Sequence, residues 1–181
     1  KKKIKKKRYK IILNVARFEK QKNHLMLLKS FNDLKSKLNI KLFLIGYGKE
    51  EINILNYIKK HNLQKKIKIF KNTNKVYPYY QISDLFVLTS FYEGFGNVLV
   101  EAAMFKLPII STDCKSGPKE ILNNGKYGDL VKINDKKKLT NLILKNLYKK
   151  DKNKISLMYN SLERFDIKQH VKKYEKIFEK I

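Results

Sequence analysis

The sequence predicts a doubly wound, Rossmann-like α/β domain built on a parallel sheet of about six strands. Two observations predict it. Short apolar runs alternate with segments whose apolar residues recur at helical spacing, and that alternation implies right-handed β–α–β crossovers. Several runs are apolar at every position rather than at every second one, as strands covered by helices on both faces must be.

The elements follow in order. Residues 1–8 are nearly pure charge and read as a basic linker or tail, leaving residues 9–181 as one domain. Ile11–Val15 is the first strand, after which Leu27, Phe31, Leu34 and Leu38 recur on a helical face. Leu42–Ile45 is the second strand, closed by Gly46-Tyr47-Gly48. Ile52, Leu55 and Ile58 mark a helix, Ile67–Phe70 a third strand and Leu85–Leu88 a fourth. Between those strands, Tyr77, Tyr79 and Tyr80 read as a packed loop or short helical lid, with stacking on a base as the alternative. A helix with Asn97 as N-cap runs to about Phe105. Pro108–Thr112 and Leu130–Ile133 complete the sheet. Ile167, Val171, Tyr174, Ile177, Phe178 and Ile181 form a last helical stripe, packed either on this domain or on another.

Composition bounds the function classes. The hydrophobic share of 43% excludes a disordered chain, and 181 residues suffice for one domain with a core. The net charge is +26, and all but three of the 42 basic residues are Lys, the exceptions being Arg8, Arg17 and Arg164. Charge spread along the chain as Lys reads as a solvated surface rather than a nucleic-acid face, which recruits clustered Arg. Attraction to an anionic membrane surface stays open. Cys114 is the only cysteine, which excludes a disulfide framework and a thiolate metal site and suits a reducing compartment; it reads as a packing residue. His24, His61 and His170 show no ligand spacing and read as ordinary surface or helix-face residues. No apolar run reaches transmembrane length and no signal peptide is visible. A cytoplasmic placement, at the inner face of the membrane or away from it, is expected. The start at Lys1 reads as that of a fragment.

In a doubly wound sheet the ligand lies beyond the carboxyl ends of the strands. After the fourth strand comes Ser90-Phe91-Tyr92-Glu93-Gly94-Phe95-Gly96-Asn97-Val98-Leu99-Val100-Glu101. Gly94 and Gly96 leave backbone N–H groups uncovered, and the helix behind them aims its positive end at the same spot. Together they make an anion site suited to a diphosphate. Glu93 and Glu101, one on each side, suit a ligand with hydroxyls at both ends, such as a nucleoside diphosphate sugar. After the first strand, Arg17 stands at the strand end and Lys22 near the next helix, where either could clamp a diphosphate. Asp113 and Glu120 flank Gly117-Pro118 in the following loop, where Glu120 reads as ordering the loop.

These residues resemble the C-terminal domain of the family-4 retaining glycosyltransferases, which have the two-domain GT-B fold. Glu93 to Glu101 is similar to that family's E-x7-E motif, here EGFGNVLVE. Ala16-Arg17 through Lys22, Gly46-Tyr47-Gly48, Asp84 to Ser90, Ser111 to Cys114 and Gly117 to Ile121 resemble its other loops, and the likeness covers about residues 9–181. The resemblance implies that Arg17 and Lys22 bind the donor diphosphate and that Glu93 acts as the catalytic group on the hexose. It implies that Gly94, Phe95, Gly96, Asn97 and Val98 present backbone to the donor, that Glu101 holds the ribose hydroxyls, and that Gly46 and the backbone at Phe70 and Lys71 complete the donor site. It also implies transfer of a hexose or N-acetylhexosamine, with retention, from a nucleotide sugar of UDP type to a glycan or lipid-linked acceptor, with no cofactor and no essential metal. The acceptor-binding N-terminal domain of such an enzyme is expected to be missing here, so the chain alone should bind donor and barely turn over. Asn23 departs from the family, which usually has Gly there. The alternatives are a sugar-nucleotide epimerase-like GT-B domain and, further off, a basic nucleic-acid-binding module.

Overall fold

The computed structural model describes residues 9–71, 73, 75–167 and 171. The expected tail over residues 1–8 lies outside them, as do Tyr174, Ile177, Phe178 and Ile181 of the last stripe.

The strands are β1 (Lys10–Val15), β2 (Ile40–Ile45), β3 (Ile67–Phe70), β4 (Leu85–Leu88), β5 (Ile109–Thr112) and β6 (Asp129–Val131). They form one six-stranded sheet in the order β3-β2-β1-β4-β5-β6, and every pairing is parallel. The helices are α1 (His24–Leu34), α2 (Glu51–Lys60), α3 (Tyr77–Ile82), α4 (Asn97–Met104), α5 (Pro118–Ile121), α6 (Lys136–Tyr148) and α7 (Lys152–Asn160). The chain winds outward from β1 to β3, then returns to lay β4 against the other side of β1. The junction of β1 and β4 is therefore the topological switch point, where such sheets open a crevice for ligands.

Both faces of the sheet are buried, which explains the unbroken apolar runs. Ile12, Leu42, Leu44, Leu85 and Val87 point to one core with the buried sides of α1, α2 and α6. Their neighbours Ile11, Leu13, Phe43, Ile45, Phe86 and Leu88 point to the other, with α3, α4, α5 and α7. The alternation of side chains along a strand makes this division. Asn14 is the polar exception within β1. It is fully buried, and its amide donates to the Val87 carbonyl at 2.8 Å, a tie between β1 and β4 at the switch point.

Several boundaries differ from expectation for identifiable reasons. β6 ends at Val131 because its partner Thr112 is the last residue of β5; Ile133 falls outside the ladder and is exposed. Pro108 precedes β5 rather than belonging to it, and its carbonyl accepts from Phe86 N–H. In α2 the buried side is carried by Ile54 and Ile58, while Ile52 and Leu55 are exposed. Leu38 lies beyond the end of α1 yet packs on the same core. The three-tyrosine segment is a short helix, α3, with Tyr80 buried.

Candidate functional site

Three loops meet beyond the carboxyl ends of β1, β4 and β5, and hydrogen bonds stitch them together. Phe91 N–H donates to the Gln21 carbonyl at 2.8 Å, and the Gln21 side-chain amide donates to the Tyr92 carbonyl at 2.7 Å. The buried Thr89 hydroxyl is aimed between the carbonyls of Lys22 and Asn23, 3.1 Å from each. Thr112 donates to the Ser90 carbonyl at 2.6 Å, and Tyr92 bridges to Lys115. The sequence signal for this stitching was slight: small polar residues at the ends of apolar strands.

The stitching brings Lys22 and Glu93 face to face. Lys22 Nζ lies 2.7 Å and 2.8 Å from the two carboxylate oxygens of Glu93. The pair is largely withdrawn from water, with side-chain exposures of 14% and 7%. A desolvated pair is tolerable only when further hydrogen bonds complete it, and the Ser90 hydroxyl does so, donating to Glu93 Oε1 at 2.5 Å. Ser90 is the site partner that sequence reading left without a role. Lys22 closes a short 3-10 turn, Lys20–Lys22. Asn23 follows at φ 45° and ψ 47°, a left-handed conformation that Asn tolerates better than most non-glycine residues. The replacement of the usual Gly there leaves the turn intact.

The loop before α4 departs from expectation at its cap. Gly96, at φ 96°, holds the N-cap position, and Asn97 is the first helical residue. No side chain caps the helix; Leu99 N–H donates to the Gly96 carbonyl at 2.9 Å, which leaves the N–H groups of Asn97 and Val98 and the positive dipole end to an anion. A side chain at Gly94 would meet open space. A tight constraint on this loop is supplied by a glycine that was not among the expected site residues. A Cβ on Gly117, at φ 69°, would lie 2.0 Å from the Phe95 carbonyl oxygen. The β5 loop thus presses directly on the backbone of the Gly94–Gly96 turn. Gly117→Ala is expected to cost at least about 2 kcal/mol of stability, read by urea unfolding, because it combines a strained backbone with a clash.

Arg17, Gly46 and Val98 line one pocket of about 570 Å³ with Val15, Ala16, Ile45, Tyr47, Thr73 and Val76. It opens beside the β1–β4 junction. Gly46 is required by close approach, since a Cβ there would lie 2.0 Å from the Ala16 carbonyl oxygen. Arg17 is exposed at its mouth. Glu101, one turn beyond Val98, accepts a hydrogen bond from the Tyr80 hydroxyl at 2.8 Å. Phe95 packs edge-on against Phe165, with ring centres 5.5 Å apart.

At Phe70 and Lys71 it is the backbone that is expected at the donor site, and their side chains make contacts of their own. The Lys71 ammonium pairs with Glu51 of α2. The Phe70 ring packs on Phe43 and Tyr79, and its carbonyl accepts from Gly46 N–H at 3.0 Å. Of the surface and helix-face alternatives expected for His24, the structure gives the second: it opens α1 on the buried side, 3% exposed, with its ring edge-on to Phe18 at 5.0 Å. Burial, and then the positive charge of Lys22, lower its pKa to about 4. It borders a separate pocket of about 510 Å³ between α1 and α2, which holds none of the expected site residues. Burial pushes the Cys114 thiol up, as suits a packing role. Among the described residues, no three His, Cys, Asp or Glu side chains gather as a metal site would require.

Known proteins resemble this chain in sequence and in shape. It is 31% identical over 202 residues to an uncharacterized glycosyltransferase of Methanocaldococcus jannaschii, covering 93% of this chain and 49% of that protein. It is 32% identical over 170 residues to the N-acetylgalactosamine-N,N'-diacetylbacillosaminyl-diphospho-undecaprenol 4-alpha-N-acetylgalactosaminyltransferase of Campylobacter jejuni, covering 91% of this chain and 46% of that protein. The chain thus spans about half the length of these curated relatives. Its fold matches a crystal structure of Anabaena HepE in complex with UDP, with a TM-score of 0.85 at 19% identity over 94% of this chain and 49% of that one. It also matches S. aureus TarM bound to Fondaparinux, alpha-GlcNAc-glycerol and UDP, with a TM-score of 0.85 at 23% identity over 94% of this chain and 35% of that one. These likenesses show the Rossmann-like fold of a GT-B half. The sequence model of one family, described as glycosyl transferases group 1, matches residues 1–164, and with the stitched glutamate–glycine loop on this sheet the conclusion follows that the chain belongs to that family.

Proposed function

We propose that the protein carrying this chain transfers a hexose or N-acetylhexosamine from a UDP-linked donor to a glycan or lipid-linked acceptor, with retention at the anomeric carbon. This chain is the donor-binding side, and the remaining length seen in its relatives holds the acceptor. The observation that carries the reading is the Lys22–Glu93 pair beside the uncapped start of α4. It sets a cation for a diphosphate next to a carboxylate for the sugar, at the sheet's switch point.

The pair suggests how the site works. At rest Glu93 neutralises Lys22. A donor diphosphate, aided by Arg17 and the N–H groups after Gly96, takes Lys22 over, exchanging one anionic partner for another. Glu93, still held by Ser90, then faces the hexose, where its charge stabilises the positive charge developing at the anomeric carbon. Glu101 holds the ribose hydroxyls. The cations and the helix terminus supply the positive charge that the leaving diphosphate needs, so the scheme uses no metal. UDP in the two matched structures supports a UDP donor, and the undecaprenol-linked substrate named for the Campylobacter relative supports a membrane-borne acceptor. Among the described residues no helix is long and apolar enough to cross a membrane; contact with the inner membrane face would fall to the Lys-rich surface.

Glu101→Ala is expected to weaken UDP binding by about 1.5–3 kcal/mol in calorimetric titration, the worth of hydrogen bonds to a charged partner. NMR of the glycoside formed by the whole protein reads the stereochemistry. An α product from an α-linked donor agrees with retention, and a β product sinks that part of the proposal.

A further inference from the structure

We propose that Tyr80 is a positioning residue for the nucleotide: its hydroxyl fixes the Glu101 carboxylate so that the remaining oxygen faces the ribose diol. This rests on the reading of Glu101 as the ribose-binding group. The Tyr80 hydroxyl donates to Glu101 Oε2 at 2.8 Å. The side chain as a whole is 0% exposed, so it acts on the ligand through Glu101. Its ring cannot swing, because it stacks on Phe105 at 5.6 Å and 8° and on Phe86 at 5.7 Å and 28°. Burial, and then the Glu101 charge, push the phenol far above its ordinary pKa. It stays protonated, a permanent donor.

A carboxylate on the first turns of a helix can rotate, and each free rotor costs binding energy when a ligand must freeze it. Tyr80 removes that cost in advance. It also couples two walls of the pocket, because it belongs to α3, which follows Val76, while Glu101 belongs to α4 with Val98. Seating of the diol is thereby linked to the position of α3. Tyr80 lies five residues before β4 in a core of Phe105 and Phe86, where Phe would pack equally well; its hydroxyl makes its short hydrogen bond to Glu101 and lies farther, at 3.5 Å, from the Val98 carbonyl.

Tyr80→Phe keeps the stacking and removes the donor. In titrations of the chain with UDP and with 2′,3′-dideoxy-UDP, the variant should lose about five- to tenfold in affinity for UDP. Its affinity for the dideoxy ligand should not change. In a Glu101→Ala background the same substitution should have no further effect. Unchanged UDP affinity in Tyr80→Phe, or an equal loss for both ligands at an unchanged melting temperature, overturns the positioning role. If the wild-type chain binds UDP and its dideoxy form equally, Glu101 does not hold the diol, and the reading beneath the proposal falls instead.

Discussion

Replacing Glu93 by Gln is expected to lower transfer by the whole protein at least about a hundredfold while tightening UDP binding. The two effects have one source. Both carboxylate oxygens of Glu93 lie within 2.8 Å of Lys22 Nζ. A diphosphate must therefore displace an existing partner, and that competition subtracts from its affinity. Gln removes the competing charge and frees Lys22, so the resting site becomes a better anion receptor. The same change removes the charge that stabilises the anomeric carbon in the transition state, so turnover collapses. Without ligand, the variant leaves Lys22 only 14% exposed and unneutralised, which costs stability. UDP should accordingly raise the melting temperature of Glu93→Gln more than that of the wild type. Weaker binding with turnover preserved would contradict the roles given to both residues.

The second large effect concerns pH and lies outside the donor site. His24 has its pKa lowered from 6.5 to about 4 in the folded chain, and neither ring nitrogen has a hydrogen-bond partner. Above pH 6.5 the ring is neutral in both folded and unfolded chains and contributes no pH dependence. As pH falls below 6.5, the unfolded chain takes up a proton that the folded chain refuses until about pH 4. Stability is lost across that window, by about 3 kcal/mol in total. His24→Leu removes this loss. Denaturant unfolding of both proteins between pH 8 and pH 4 should show the wild type falling away from the variant below pH 6.5. Parallel curves would mean that the ring is hydrated or paired in solution. Lys22 sits two residues earlier and contributes to the shift, so UDP binding at Lys22 should lessen the loss.

The fold was largely legible because burial on both faces left its mark in Leu42–Ile45 and Leu85–Leu88, runs with no polar interruption. Parallel order followed from alternation alone. α6 was missed although its signal is present: Asp135 caps it by accepting from Lys138 N–H, and Leu139, Leu142, Ile143 and Leu147 form its buried side. The Lys residues around them mask that stripe in a chain so rich in Lys. In α2, Ile52 and Leu55 carry the same periodicity as the buried Ile54 and Ile58, and spacing does not say which face turns inward.

At the site, the glutamate–glycine loop was legible from composition and spacing. The Lys22–Glu93 contact was not, since it joins positions 71 residues apart through hydrogen bonds made by Gln21, Thr89 and Ser90. Nor was the role of Gly117, which depends on where the Phe95 carbonyl points. Asn97 was read as a cap because its residue type favours that position. The structure gives the cap to Gly96 instead, since a left-handed backbone was needed there.

Calorimetric titration of UDP, GDP and a duplex oligonucleotide, each at low and high salt, reads directly whether the switch-point site is a nucleotide-sugar site. Selective UDP binding that changes little with salt is expected, because a pocketed diphosphate and diol are held by short hydrogen bonds. Oligonucleotide binding, where it occurs, should collapse steeply with salt through counterion release. Failure of the whole protein to bind any nucleotide diphosphate, with tight oligonucleotide binding in its place, would contradict a nucleotide-sugar site at the β1–β4 junction.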